Sequence, residues 1–149
     1  MGYVEVGGLA CPAEHEDSDI DYTQIADYPR WLQRGTTADG RAWYENEYTN
    51  SQFRFLYYSD RAEGWFITAT APDLDEDDPW VGGNNAARLV DAEGEGSGSG
   101  TPDGVYPNAM LYCGHDTGDA AEGCSAHPRD DGRYFYWCSN DGAVSVSCR

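Results

Sequence analysis

A chain with this residue supply has to build its interior from rings. Five Trp, eleven Tyr and four Phe stand against seven Val, six Leu and three Ile in 149 residues. So few aliphatic side chains, combined with a net charge of -18, would ordinarily leave a chain unfolded. Each ring, however, buries on the order of 150–250 Å², so aromatic side chains can supply the apolar area that Val, Leu and Ile do not. At this length such a core serves one compact domain rather than two.

The rings fall in short runs that read as strands. Tyr3-Val4-Glu5-Val6 alternates and stops at Gly7-Gly8. From Tyr22 to Thr70 the pattern is a β meander: Gln24 to Leu32 and Arg41 to Asn46 flank the turn Thr36-Thr37-Ala38-Asp39-Gly40. Phe53 to Tyr58 and Trp65 to Thr70 then flank Ser59 to Gly64. Asp-Gly is a hairpin signal because Gly takes the positive φ of a tight turn. Strand character returns in Val105 to Cys113, Arg133 to Cys138 and Ala143 to Cys148, the last two joined by a second Asp-Gly hairpin at Ser139-Asn140-Asp141-Gly142. One helical turn over Ala86 to Val90 is the only helix expected. The expectation is an all-β domain of six to eight strands, an antiparallel meander forming a small sandwich, barrel or twisted sheet with a disulfide-braced C-terminal region.

Residues 1–70 thus hold an aromatic-rich meander, 71–104 an acidic and Gly/Ser-rich loop, and 105–149 the Cys-containing strands, packed with the first region as one domain. Glu93 to Gly100 contains only Glu, Gly and Ser, with no apolar side chain to pack, and reads as a dispensable flexible tract.

All nine basic residues are Arg, scattered among 27 acids. Nucleic acid is therefore a poor partner, because polyanion binding needs a basic stripe that releases counterions. Anionic membrane surfaces are disfavoured on the same ground. No segment approaches the ~20 apolar residues of a membrane span. The first residues lack the basic and apolar regions of a signal peptide, so either a leader has been removed or the segment comes from something longer.

Residues that could carry chemistry are few. His15, His115 and His127 lie in polar or Gly- and Pro-adjacent surroundings, without a nucleophile setting to activate. Cys113-x-His115 with Cys124-x-x-His127 offers four zinc-type ligands at an atypical spacing. Asp17, Asp19 and Asp21, and Asp73, Asp75 and Asp77, resemble calcium loops but lack the EF-hand glycine and closing Glu. A weak calcium site at Asp73, Asp75 and Asp77 is the metal reading retained, and no cofactor is expected.

Cys113, Cys124, Cys138 and Cys148 crowd into 36 residues, as the staples of small domains from oxidising compartments do. The second Asp-Gly turn would set Cys138 opposite Ser145, which disfavours a Cys138–Cys148 bridge. The pairs left open are Cys113–Cys138 with Cys124–Cys148, or Cys113–Cys148 with Cys124–Cys138, unless Cys11 takes part; one thiol must be left over.

The order of a Tyr, a ring-bearing strand, Asp39-Gly40-Arg41-Ala42-Trp43-Tyr44-Glu45-Asn46, Phe55-Leu56-Tyr57-Tyr58 and Gly64-Trp65-Phe66-Ile67 resembles a short β repeat of multidomain proteins from algae, other protists and marine invertebrates. It covers residues 22–70. The resemblance implies a non-catalytic module used in cell-surface architecture, and carries over no catalytic residue.

Adjacent rings such as Trp43-Tyr44 and Tyr57-Tyr58 cannot share a face, because neighbours on a strand point to opposite sides. The expectation is a secreted or cell-surface module, not an enzyme, that binds a glycan or protein partner through exposed Trp31, Trp43, Tyr44, Tyr57 and Trp65. The alternatives are a self-associating subunit of an extracellular filament and a hydrolase of polysaccharides.

Overall fold

The computed structural model describes residues 2–12, 22–75, 85–89, 100–113, 119–128, 130, 132 and 134–149. Among them are eleven strands and one short helix: β1 Tyr3–Gly7, α1 Tyr22–Asp27, β2 Arg30–Thr36, β3 Ala42–Asn46, β4 Phe55–Ser59, β5 Gly64–Thr68, β6 Asn85–Leu89, β7 Gly104–Tyr106, β8 Met110–Cys113, β9 Cys124–Pro128, β10 Tyr134–Ser139 and β11 Val144–Cys148. The all-β antiparallel class holds. All strands belong to one curled half-barrel sheet, in the order β7-β11-β1-β2-β3-β4-β5-β6-β8-β10-β9.

Two short connections impose the curl. β10 and β11 lie eight inter-strand steps apart in the sheet, a distance of roughly 38 Å if it were flat. Only Asn140 to Ala143 join them, a reach of about 18 Å at full extension. β7 and β8 are equally far apart in the order, yet Pro107 to Ala109 join them. The sheet therefore has to roll until its two ends meet across a seam.

At that seam Asn140 is buried and acts as a clasp. Its side-chain amide donates to the carbonyls of Gly8 (2.8 Å) and Gly142 (2.7 Å), and its side-chain oxygen accepts from Ala10 N–H (2.8 Å). Its own N–H donates to Ala109 O at 2.8 Å, tying the two crossovers together. A Cys11–Cys113 disulfide joins the segment after β1 to the end of β8.

The rolled sheet puts a continuous row of side chains on its concave face. Tyr44, Leu56, Ile67, Ala87, Leu111, Cys138 and Cys124 stand opposite one another in register across β3, β4, β5, β6, β8, β10 and β9. Trp31, Trp65, Tyr106 and Tyr136 fill the same core without exposure. Rings thus replace the missing aliphatics.

Several expectations need correction. Ala86 to Leu89 is strand β6, not a helical turn, and Val90 lies outside the described residues. A short apolar run fits either form, and here Ala87 and Arg88 must pair β5 on one side with β8 on the other. Gln24 to Leu32 is not one strand: α1 precedes Pro29 and β2 starts at Arg30. Tyr22 and Ile25, three residues apart, both face the core, a helical spacing. Val105 to Cys113 is two strands interrupted at Pro107, and β9 was not anticipated. The Asp141-Gly142 turn is no hairpin, since β10 pairs with β8 and β9 whereas β11 pairs with β1 and β7.

The cysteine pairing takes the option in which Cys11 takes part. Cys113 bonds Cys11, neither Cys138 nor Cys148, and Cys124 bonds Cys138. Cys148 is the thiol left over, and it is exposed.

Both sheet edges are blunted. Ser139 N–H donates to Gly123 O at 2.8 Å, so alternation along the ladder turns the backbone polar groups of Cys124, Ala126 and Pro128 away from β10. Cys124 N–H is spent on Ala121 O (3.1 Å) and Pro128 has no N–H. Ala126 is left as the outward donor of β9. At the other edge β7 has three residues, placed between Pro102 and Pro107.

Candidate functional site

Four of the five rings expected at the surface are enclosed. Trp31, Tyr44, Tyr57 and Trp65 are buried, so the expectation that they meet a ligand is corrected. Their adjacency prediction did hold in geometry: Tyr44 and Tyr58 join the concave core, while Trp43 and Tyr57 lie on the convex side. Tyr57 faces Phe66 there. Burial pushes the Tyr44 hydroxyl up to about 12, with a smaller contribution from Cys148.

Trp43 alone of the five is half-buried. Its ring packs 6.2 Å from that of Phe55. A Cβ at Gly35 would stand 3.0 Å from its indole nitrogen, so the absence of a side chain on β2 lets the ring lie over that strand. Beside it Glu45 takes Arg34 (3.1 Å) and Arg54 (3.0 Å), and Arg54 lies 5.0 Å over Phe55. These contacts describe a packed exterior layer rather than an open platform.

The exposed aromatic surface lies elsewhere, at the junction of α1 with β2. Tyr28 is 39% exposed, and no other Tyr or Trp among the described residues is exposed to that degree. Its ring stacks on Tyr48, with centroids 4.7 Å apart and planes 16° from parallel. A stacked pair of this kind contributes about 0.5–1.5 kcal/mol beyond area burial.

A buried side chain holds both tyrosines. Asn46 ends β3 opposite Trp31 and is almost wholly enclosed. Its amide nitrogen donates to Tyr28 O (2.9 Å) and more weakly to Arg30 O (3.4 Å), while its oxygen accepts from Tyr48 N–H (2.9 Å). The backbone adds Tyr28 N–H to Ile25 O (3.1 Å), Ser51 N–H to Tyr48 O (3.1 Å), Glu47 N–H to Arg30 O (3.0 Å) and Val6 N–H to Pro29 O (3.0 Å). The backbone that carries the two rings is thus held in place before any ligand arrives.

The rim of this pair is polar and mostly acidic or neutral. Asp27, Glu47, Thr49 and Asn50 are exposed. The nearby cation is committed: Arg30 lies 5.1 Å over the ring of Tyr3.

The remaining sequence candidates do not converge. Asp73 and Asp75 share an exposed turn in which Asp73 accepts from Asp75 N–H (3.0 Å), and Asp77 lies outside the described residues. So do Asp17, Asp19, Asp21, His15 and His115. No group of three or more metal-ligating side chains occurs among the described residues. With Cys113 and Cys124 each in a disulfide, the zinc-type set loses both thiolates.

Tyr28, Tyr48 and Asn46 were missed in the sequence. Tyr28 precedes a proline, a boundary signal, and Asn46 opens the polar run Glu47-Tyr48-Thr49-Asn50. Nothing in that pattern shows that the two tyrosines meet across 20 residues. Comparison with models of protein families, with curated proteins and with solved structures finds no match, and the likeness of residues 22–70 to a short β repeat stays a resemblance.

Proposed function

We propose that this chain is a non-catalytic recognition module, secreted or displayed at a cell surface, that binds a glycan or protein partner through an exterior aromatic platform. The observation that carries the reading is the Tyr28–Tyr48 stack, in which Tyr28 is exposed and Tyr48 half-buried and whose backbone a buried asparagine holds. Binding that finds its contact groups already ordered avoids the entropy of arranging them. Two disulfides support an oxidising compartment.

The blunted edges favour recognition over assembly. A filament subunit that grew by strand addition needs a row of outward donors and acceptors, and β9 offers a single outward donor, Ala126, while β7 is short and flanked by prolines. Of the five rings that a subunit would bury between protomers, four are already enclosed within this chain.

Sedimentation velocity over a hundredfold concentration range, paired with a glycan array and a panel of extracellular proteins, tests the reading. The expected result is a monomer that retains a ligand and releases it chemically unchanged. Association without ligand, or cleavage of a bound glycan, overturns it.

A further inference from the structure

The Tyr28–Tyr48 pair also carries the class of its ligand, an inference that rests on the recognition reading above. We infer that it is a stacking site for a neutral glycan, with the open face of Tyr28 taking the C–H face of a sugar ring. Tyr48 covers one face of Tyr28, and the 39% exposure of Tyr28 is what remains open to solvent.

Three features select the occupant. A stacked ring offers a flat, rigid apolar surface at little conformational cost, which suits another flat apolar face. Next to the two tyrosines in sequence, the exposed Asp27, Glu47, Thr49 and Asn50 carry the acceptors and hydroxyls that sugar hydroxyl groups bond. The charge pattern excludes anionic polymers: Arg30 is held over Tyr3, Arg54 is bonded to Thr49 O (2.7 Å) and paired with Glu45, and the whole chain carries -18. Sulfated or uronate glycans would approach two exposed carboxylates with no uncommitted guanidinium among these neighbours to receive them. A protein partner would need a broader apolar patch than one open ring.

The test is a printed array of neutral hexose polymers, N-acetylhexosamine polymers, and sulfated and uronate polymers, read with wild type, Tyr28→Ala, Tyr28→Phe and Tyr48→Ala. Near-UV circular dichroism and urea unfolding of each variant confirm that it is folded. The wild type is expected to retain neutral or N-acetylated polymers and not the anionic ones. Tyr28→Ala should weaken retention about tenfold or more, as truncation of an anchoring ring does, Tyr48→Ala should weaken it through loss of the stack, and Tyr28→Phe should preserve it. Binding of neutral glycans that Tyr28→Ala leaves unchanged overturns this site while leaving a recognition module. Preference for anionic polymers overturns the ligand class. Retention of no glycan, with capture of a protein from the panel, overturns the inference and leaves the broader reading standing.

Discussion

Replacing Asn46 by alanine should loosen the tyrosine platform and the fold together. The substitution removes two good hydrogen bonds, to Tyr28 O and Tyr48 N–H, both at 2.9 Å, and a weaker one to Arg30 O at 3.4 Å. Because Asn46 is enclosed, the partners it abandons are left poorly solvated, at about 1–3 kcal/mol for each good bond. Allowing for partial relaxation, the expected loss is roughly 2–4 kcal/mol, a large share of the ~5–15 kcal/mol that holds a domain. For a chain of this size that corresponds to a fall in Tm of about 5–15 °C. Asn46→Asp sharpens the test. A carboxylate would face two carbonyls, so its folded pKa should lie above its unfolded value near 4. The variant should then be most stable below that value, losing stability as pH rises through the folded pKa. Urea unfolding with the disulfides intact measures both variants. A loss below about 0.5 kcal/mol for Asn46→Ala would refute the claim that this amide holds the platform.

Other outcomes follow from the same contacts. Asp39 feels burial, which raises its pKa, but bonds from the Thr37 hydroxyl and the Arg41 backbone and the charge of Arg41 outweigh it, so the folded value is depressed. Its contribution should be present above pH ~4 and disappear as pH falls through the lower folded value, and Asp39→Asn should flatten that part of a pH–stability profile. Gly8→Ala should destabilise by about 1–3 kcal/mol or more, because φ is +92° and a Cβ would lie 2.5 Å from the Ala143 carbonyl oxygen. Gly40→Ala, at φ +90° but with nothing within 4 Å, should cost about 1–2 kcal/mol, and equal losses at the two sites would contradict the close approach at the seam. Alkylation under native, non-reducing conditions should label one thiol per chain, abolished by Cys148→Ser; labelling at Cys11 or Cys113 would contradict the pairing.

How much of this was legible in the sequence depends on the range of the interaction. The strands β1, β3, β4, β5, β10 and β11 follow from alternation and β-branched or aromatic content, and the Asp39-Gly40 hairpin from local turn chemistry. What failed was local at α1 and β6 and long-range elsewhere. Asp141-Gly142 has the residues of a hairpin, and Gly142 does take a positive φ, yet the chain it turns crosses a seam that only the finished sheet creates. Cys11 could only be left open as a partner, because its 102-residue separation from Cys113 closes through the same seam. The ring supply correctly pointed to an aromatic core, but residue type alone does not say which ring of a strand faces inward. Trp31 and Trp65 were named for exposure and are enclosed, whereas Tyr28 stands on the surface because Pro29 ends the helical turn beside it.

The central claim is that recognition takes place on the Tyr28–Tyr48 pair while the other rings hold the fold. The most direct measurement is an NMR titration of aromatic ring protons with the neutral oligosaccharide best retained on the array, with resonances assigned by Tyr28→Phe and Tyr48→Phe. The account predicts saturable shifts of Tyr28 and Tyr48, with Trp31, Tyr44, Tyr57 and Trp65 unmoved and the protein still monomeric. Shifts centred on those four rings, with Tyr28 and Tyr48 unmoved, would contradict it.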